Sequence, residues 1–172
     1  MALKRPPKPD FMDEEEWKQL ADSREGLQAL RQAKDARPDA LNEHARRYLE
    51  TDGSEGTDIT QGGPTCLVWH IGAKSGKERV TPLNYMQDGE KVYVVGSLAG
   101  VDLHPNWVHN LEANPDTQVQ IHEKRWRVGA RLLQGDERAE LWPRLTAHFP
   151  LWGHFQKYQE REFKVFELSP ID

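Results

Sequence analysis

Residues 72–79, with the sequence GAKSGKER, place three basic side chains and two glycines in eight positions. Lysine ammonium groups and the backbone N–H groups of a glycine-containing turn together favour a phosphate or carboxylate. A nucleotide-hydrolase phosphate loop needs four residues between its glycines and a Ser or Thr after the lysine. Here three residues separate Gly72 from Gly76, and Glu78 follows Lys77. The segment therefore predicts a small anion site of another kind, with a solvated basic turn as the alternative.

The distribution of charge limits the size of any anion site. The 172-residue chain has a formal net charge of −5, and residues 10–60 hold fourteen acidic against seven basic side chains. Binding of nucleic acid depends on clustered Lys and Arg. The composition therefore argues against a nucleic-acid partner, and any anion site is expected to be local.

The remaining side chains with catalytic potential form no recognised motif. The seven histidines lack the spacing of a zinc-binding helix and have no cysteine partners, so no metal site is predicted. Ser97, in VVGSLAG, comes closest to a nucleophile elbow but lacks its glycine spacing. Cys66 is the single cysteine and lies in an apolar run, which is typical of a buried small hydrophobe.

The expected location follows from the same features. One cysteine allows no internal disulfide, and the chain shows neither a signal-peptide pattern nor an apolar run long enough to cross a bilayer. These observations favour the cytoplasm. A peripheral position at the membrane is the alternative, which the acidic N-terminal region disfavours.

Three large aromatic residues recur at three-residue spacing, namely Phe149, Trp152 and Phe155. On a helix this spacing stacks them into one apolar wall. Two interpretations stay open: a wall for a flat apolar ligand, and a stripe that packs in the core.

The elements that must position these residues follow from hydrophobic periodicity and turn residues. We predict a flexible tail over 1–11, an N-terminal helical extension over 12–60 and a barrel domain over 61–172. The predicted helices are 12–36, 39–51, 104–115 and 136–148, and the predicted strands are 66–71, 79–86, 91–96, 117–122, 125–134 and 163–168. Short, evenly spaced antiparallel strands usually close into a barrel. The expected fold class is mainly β with flanking helices (α+β).

Four segments occur in an order and at distances that resemble a known family: GAKSGKERVTPLNY, DGEKVYVVGSLAG, HPNWVHNLEANPDTQVQI and ERAELWPRL. Together they resemble the deazaflavin (F420)-dependent nitroreductase family, in its actinobacterial branch, over residues 43–169. That family has a split β-barrel related to the FMN-binding split barrels. The resemblance implies coenzyme F420, an 8-hydroxy-5-deazaflavin whose tail carries a phosphodiester and several glutamates. FMN is the alternative cofactor.

The resemblance also implies the roles of individual residues. The cofactor tail would be held by Lys74, Ser75, Gly76 and Lys77, with help from Arg79. The ring would lie against Pro82 and Leu83, near the backbone of Gly96 and Ser97, and the tail and ribityl portion would be flanked by Trp107, Asn110, Leu111 and Ala113. The substrate would face Tyr85, Phe149, Trp152 and Phe155. Tyr85 and Ser97 are the candidates for hydrogen bonding the substrate oxygen.

The implied activity is transfer of a hydride from reduced F420 to an apolar, electron-poor substrate such as a quinone, an enone or a nitroaromatic. The alternatives are a protein that binds F420 or a hydrophobic ligand without turnover, and an FMN-dependent reductase. Ala73 stands where the family usually has arginine, and three aromatics without hydroxyls replace tyrosines of the typifying member. We therefore expect weaker tail binding and an apolar substrate rather than a nitro drug. The sequence leaves a homodimer open, and no insertion into a membrane is expected.

Overall fold

A computed structural model describes residues 6–22, 39–56, 64–98 and 103–172 of the chain. Its helices are α1 (residues 14–22), α2 (Asp39–Thr51), α3 (Asn106–Ala113), α4 (Gly135–His148) and α5 (Pro150–Lys157). Its strands are β1 (Thr65–Ile71), β2 (Glu78–Asp88), β3 (Lys91–Val95), β4 (Asp116–Ile121), β5 (Lys124–Leu133) and β6 (Val165–Pro170). The predicted strands are all present, with ends that differ by a few residues. Helix α5 is an addition to the predicted elements, and Pro150 lies in its first turn, where a missing N–H is tolerated.

The six strands form a closed antiparallel barrel in the order β1-β2-β3-β6-β5-β4. Tight hairpins connect β2 to β3 and β4 to β5, and Gly89 supplies the positive φ of 61° in the first of these turns. The ring closes where β1 pairs with β4, with Trp69 opposite Gln118. The predicted split-barrel fold is confirmed.

The barrel interior is filled by every second residue of the strands and by one helix. Buried strand residues of this interior core are Cys66, Val68, Val92, Val94, Val119, Val128, Phe166 and Leu168. Helix α3 adds Trp107, Val108 and Leu111 to the same core. Burial raises the pKa of the Cys66 thiol, so this cysteine stays a neutral, buried hydrophobe, as predicted.

A second core covers the outer face of β2 and β3, where Met86, Tyr93 and Val95 point away from the barrel interior. Helices α4 and α5 pack on this face through Leu145, Leu151, Trp152 and Phe155. We call this set the outer core.

The N-terminal segment, residues 6–22, contributes to the outer core. Met12 and Leu20 are buried there, and the Trp17 ring stacks on that of Phe155 at 6.4 Å between centroids. The predicted first helix is present over residues 14–22, whereas residues 23–38 lie outside the described part. Residues 6–11, predicted as tail, include two buried prolines, and the carbonyl of Pro7 lies 2.7 Å from His154 Nε2.

Helix α2 covers the outer face of β1 and β2. Ala45 and Tyr48 pack on Leu67 and Trp69. The fully buried Tyr48 accepts a hydrogen bond of 2.8 Å from the N–H of His122, in the turn between β4 and β5. Among the described helices, none has the length and apolar character that a bilayer span requires.

The close contact between β3 and α3 at Gly96 generates a stability prediction. A Cβ at Gly96 would lie 2.8 Å from Val108 Cγ2, a stiff side chain in the interior core. Gly96→Ala is expected to lower the free energy of unfolding by about 1–3 kcal/mol through overpacking. Denaturant unfolding followed by circular dichroism measures the difference.

Gly129→Ala is the matched control for this prediction. A Cβ at Gly129 would lie 3.4 Å from Ile171 Cγ2, an ordinary contact, and neither glycine has a positive φ. Its unfolding free energy should change by no more than about 0.5 kcal/mol. Equal losses in the two variants would contradict the close-contact explanation.

Candidate functional site

The basic segment forms a compact loop, residues 72–77, between β1 and β2. Gly72 donates its N–H to the carbonyl of Lys77, and Gly76 donates to the carbonyl of Gly72, both at 2.9 Å. Gly76 has a φ of 67°, which favours glycine, and Lys77 donates its N–H to Ser75 Oγ at 3.2 Å. Lys74 and Lys77 are exposed, and neither ammonium group has a partner among the described residues. The loop therefore holds two available cations on an internally bonded backbone.

Helix α3 anchors this loop from one side. The N–H of Ala73 donates to Asn110 Oδ1 at 2.9 Å, across 37 positions of sequence. A longer contact joins Asn114 Nδ2 to the carbonyl of Ile71 at 3.5 Å. The loop is thus attached to the C-terminal half of α3.

A buried histidine continues the same chain of hydrogen bonds. His70 Nδ1 lies 2.9 Å from Asn110 Nδ2, and His70 Nε2 lies 2.8 Å from Thr81 Oγ1. His70 is only 4% exposed. Burial, assisted by the charge of Arg79, lowers the pKa of His70 to about 4, so the ring is neutral at physiological pH.

Strand β2 carries the predicted ring-facing residues on two different faces. Leu83 lies opposite Cys66, on the interior side, and Pro82 lies opposite Leu67, on the side covered by α2. Tyr85 shares the interior side with Leu83, because side chains alternate along a strand. The structure therefore joins Leu83 with Tyr85 and separates Pro82 from both.

The Tyr85 side chain is half-buried, and its hydroxyl has no hydrogen-bond partner among the described residues. Burial raises the pKa of Tyr85, so the phenol keeps its proton near neutral pH. A protonated, unpaired hydroxyl beside an apolar surface can donate a hydrogen bond to a ligand oxygen.

The backbone at Gly96 and Ser97 is held by an arginine that the sequence analysis missed. Arg161 donates from Nη1 to the carbonyl of Gly96 at 2.9 Å and from Nη2 to that of Ser97 at 2.7 Å. Gly96 also donates its N–H to the carbonyl of Lys164 at 2.8 Å. Both polar groups of Gly96 are therefore paired within the protein. No periodic signal marks Arg161, because it lies in a charged connection between α5 and β6.

The predicted residues of α3 are mostly closed off from solvent. Trp107 and Leu111 are 4% and 1% exposed and face the interior core, whereas Ala113 is exposed. Asn110 is 9% exposed, and both ends of its amide are bonded within the protein. Trp107, Asn110 and Leu111 therefore support the site from the barrel side. Of the four predicted residues of α3, Ala113 is the one with an exposed side chain.

The three aromatic residues lie in the outer core, on the opposite side of the β2–β3 sheet from Leu83 and Tyr85. Trp152 and Phe155 are each 3% exposed, and Phe149 is half-buried with its ring 5.0 Å from that of Trp152. Trp152 and Phe155 therefore match the core-stripe interpretation. A link to the site is the contact of 3.0 Å between His148 Nε2 and the carbonyl of Tyr85.

Comparison with known proteins gives the family. A family model described as F420H(2)-dependent quinone reductase matches residues 40–170. The chain belongs to this family. It is therefore an oxidoreductase, and its cofactor is F420 rather than FMN.

Individual proteins named as F420H(2)-dependent quinone reductases are also similar to this chain in sequence. A Mycobacterium tuberculosis protein named provisionally as such a reductase is 42% identical over 107 residues, which are 62% of this chain and 90% of that protein. Another reductase of this name from Mycobacterium tuberculosis is 36% identical over 104 residues, covering 59% of this chain and 70% of that protein.

Two solved structures share both the fold and the sequence relation. A structure of an F420-H2 dependent reductase superposes with a TM-score of 0.57 at 34% identity, covering 62% of this chain and 94% of that one. A structure described as a domain-swapped dimer has a TM-score of 0.59 at 32% identity, covering 76% of this chain and 98% of that one.

The residues of the loop fit the F420 tail. A tail with a phosphodiester and carboxylates is held by cations and by hydrogen-bond donors in an open space. Lys74 and Lys77 supply available cations, and a Cβ at Gly76 would meet nothing within 4 Å, so space is open there. Ser75 can still donate its hydroxyl proton, because its Oγ acts only as an acceptor toward Lys77.

The neutral, buried His70 generates a prediction about pH. Its pKa of about 4 in the folded state lies below the ordinary 6.5, so below pH 6.5 the unfolded chain takes up a proton that the folded chain resists. Stability is therefore complete above pH 6.5 and falls as the pH drops toward 4, by up to about 3 kcal/mol. Urea unfolding at several pH values measures this loss.

His70→Asn removes the titrating group and should flatten the pH dependence between 6.5 and 4. His109→Gln, a change at an exposed histidine on α3, should leave the wild-type dependence intact. If His70→Asn shows the full acid loss, another group is responsible for it.

Proposed function

We propose that the protein transfers a hydride from reduced F420 to a quinone, with the cofactor tail on the 72–77 loop and the substrate near Tyr85. The observation that carries this proposal is a pair of exposed lysines, Lys74 and Lys77, which have no partner among the described residues and lie on a loop anchored to α3. The same strand that leaves this loop brings Leu83 and Tyr85 to the barrel interior.

Binding of the tail depends on local rather than overall charge. The whole chain is acidic, with a net charge of −5, and would repel a polyanion at long range. Lys74, Lys77 and the exposed Arg79 offset this at one end of the barrel. Because these cations are exposed, we expect tail binding to weaken as the salt concentration rises.

The interior side of β2 provides the surface for the planar groups. Leu83 is apolar and half-buried, and Tyr85 combines an apolar ring with one hydroxyl. A flat apolar substrate gains by leaving water against such side chains. Exclusion of water also protects a hydride donor from side reactions.

The reduced deazaflavin supplies the hydride when it is bound. A quinone that accepts one hydride and one proton becomes the quinol, and both electrons come with the hydride. Tyr85 holds its proton in place to hydrogen-bond the quinone oxygen, where negative charge develops. Ser97, held through its carbonyl by Arg161, is the second candidate donor, and solvent replaces any proton that is given up.

A quinone is favoured over a nitroaromatic for two reasons. The curated relatives are named for quinone reduction. The apolar character of the nearby side chains, with few hydroxyls to bind a nitro group, suits a quinone better.

The test is an anaerobic assay with reduced F420 and menadione, followed through the deazaflavin absorbance. Tyr85→Phe is expected to lower kcat by roughly 10²-fold, because it removes the hydrogen-bond donor, and to leave the dissociation constant of F420 unchanged. Tyr158→Phe, at an exposed tyrosine that follows α5, is the control and should retain activity.

The alternatives predict different results in this assay. Tight binding of F420 without oxidation by any quinone or nitroaromatic would identify a binding protein instead of an enzyme. Full activity of Tyr85→Phe would remove Tyr85 from the mechanism.

We also propose that the protein forms a homodimer. This is supported by the 32% identical structure that is described as a domain-swapped dimer and that this chain covers over 98% of its length. Size-exclusion chromatography with light scattering should give twice the chain mass of 19.8 kDa. A mass of one chain at micromolar concentration would contradict the proposal.

A further inference from the structure

Two lysines on a surface loop bind an anion well only when the loop is already ordered. A loop that must be ordered on binding loses conformational entropy, and this loss weakens the affinity. The internal bonds of residues 72–77 close the loop on the β1–β2 pair but do not join it to α3. The Ala73 N–H to Asn110 Oδ1 bond of 2.9 Å supplies that link.

The polarity of this link is determined at every step. The N–H of Ala73 can only donate, so the amide of Asn110 must turn its oxygen toward Ala73. Asn110 Nδ2 then faces His70 Nδ1 at 2.9 Å as a donor, so Nδ1 must accept. The ring proton of His70 therefore sits on Nε2 and is donated to Thr81 Oγ1 at 2.8 Å.

We propose that His70 and Asn110 are positioning residues for the F420 tail: the neutral His70, by accepting from Asn110, holds the amide in the one orientation that orders the 72–77 loop. Neither side chain touches the cofactor. Asn110, expected from the family resemblance to flank the tail, acts from beneath the loop instead. This inference rests on the proposed function, whose cofactor site it deepens.

The series of hydrogen bonds from Thr81 through His70 and Asn110 to Ala73 distinguishes this role from ordinary core packing. His70 and Asn110 are 4% and 9% exposed, and each uses both of its polar ends within the chain. This series of hydrogen bonds ends at an exposed residue, Ala73, next to the exposed Lys74 in the loop. An apolar pair would fill the same volume but would leave the loop without an acceptor.

Two substitutions of His70 separate polarity from volume. The side-chain oxygen of asparagine can occupy the place of Nδ1, so His70→Asn keeps the acceptor for Asn110 and loses the bond to Thr81. The longer glutamine reaches the place of Nε2, so His70→Gln keeps the bond to Thr81 and leaves Asn110 Nδ2 without its acceptor. A buried donor left unpaired is costly.

The first readout needs no cofactor: the hydrogen-exchange rate of the Ala73 amide, measured by NMR on the protein alone. His70→Gln should increase this rate roughly tenfold relative to wild type, and His70→Asn should keep it within about twofold. The dissociation constant of F420, measured by titration, should follow the same order. The loss should appear in this constant and in KM for F420 rather than in kcat. His109→Gln is the control and should change neither quantity.

A second pair of variants leaves the buried residues intact, in case those of His70 fail to fold. Ala73→Pro removes the donor N–H at an exposed position and should weaken F420 binding roughly tenfold. Ala73→Arg keeps the N–H and adds a cation, and should tighten binding by about two- to fivefold at low salt.

Specific outcomes would overturn the inference. Equal losses in His70→Asn and His70→Gln would show that volume matters and polarity does not. Unchanged F420 affinity in both His70→Gln and Ala73→Pro would show that the link to Asn110 does not order the site. Failure of the wild-type protein to bind F420 would overturn the proposed function as well, and the exchange rate of Ala73 would then still report whether the loop is ordered by His70.

Discussion

Closure of the barrel by the β1–β4 pairing is the constraint on which the rest of the structure depends. Because β1 bonds to β2 on one side and to β4 on the other, it has no free edge. Strand β1 is therefore held in position on both sides, and the 72–77 loop that follows it lies at one end of the barrel. Helix α3 enters the same interior with Trp107, Val108 and Leu111. The position of Asn110 beneath the loop follows from that insertion.

A buried polar chain in an otherwise apolar barrel requires every member to be paired, since an unpaired group is costly. The chain Thr81–His70–Asn110–Ala73 meets this condition with three short hydrogen bonds. It also places a neutral ring, rather than a cation, beside the charge of Arg79, so the site's positive charge stays at the surface. An acidic protein can in this way present a cationic spot without burying a charge.

Much of the fold could be predicted from the sequence because its determinants are local. Period-two alternation and turn residues such as Gly89 identify the strands, and the basic, glycine-containing loop is evident from the sequence. The pairing of β1 with β4 is non-local and leaves no periodic signal. The same holds for the hydrogen bond between His70 and Asn110, which are 40 residues apart in sequence. The separation of Pro82 from Leu83 could have been predicted, since neighbours on a strand face opposite ways. The burial of Trp152 and Phe155 could not, because it depends on where residues 12–20 settle.

The N-terminal segment, residues 6–22, lies outside the region 40–170 that the family model matches, yet Met12, Trp17 and Leu20 join the outer core, and the Trp17 ring stacks on Phe155 of α5. It is thus an addition to the region that the family model matches. Because Trp17 covers an aromatic ring of α5, large apolar side chains are tolerated there without forming an exposed apolar patch. The protein then depends on the N-terminal segment to keep this part of α5 away from solvent. Relatives without an equivalent segment are expected to carry smaller or more polar side chains at positions 152 and 155, and this can be read directly from their sequences.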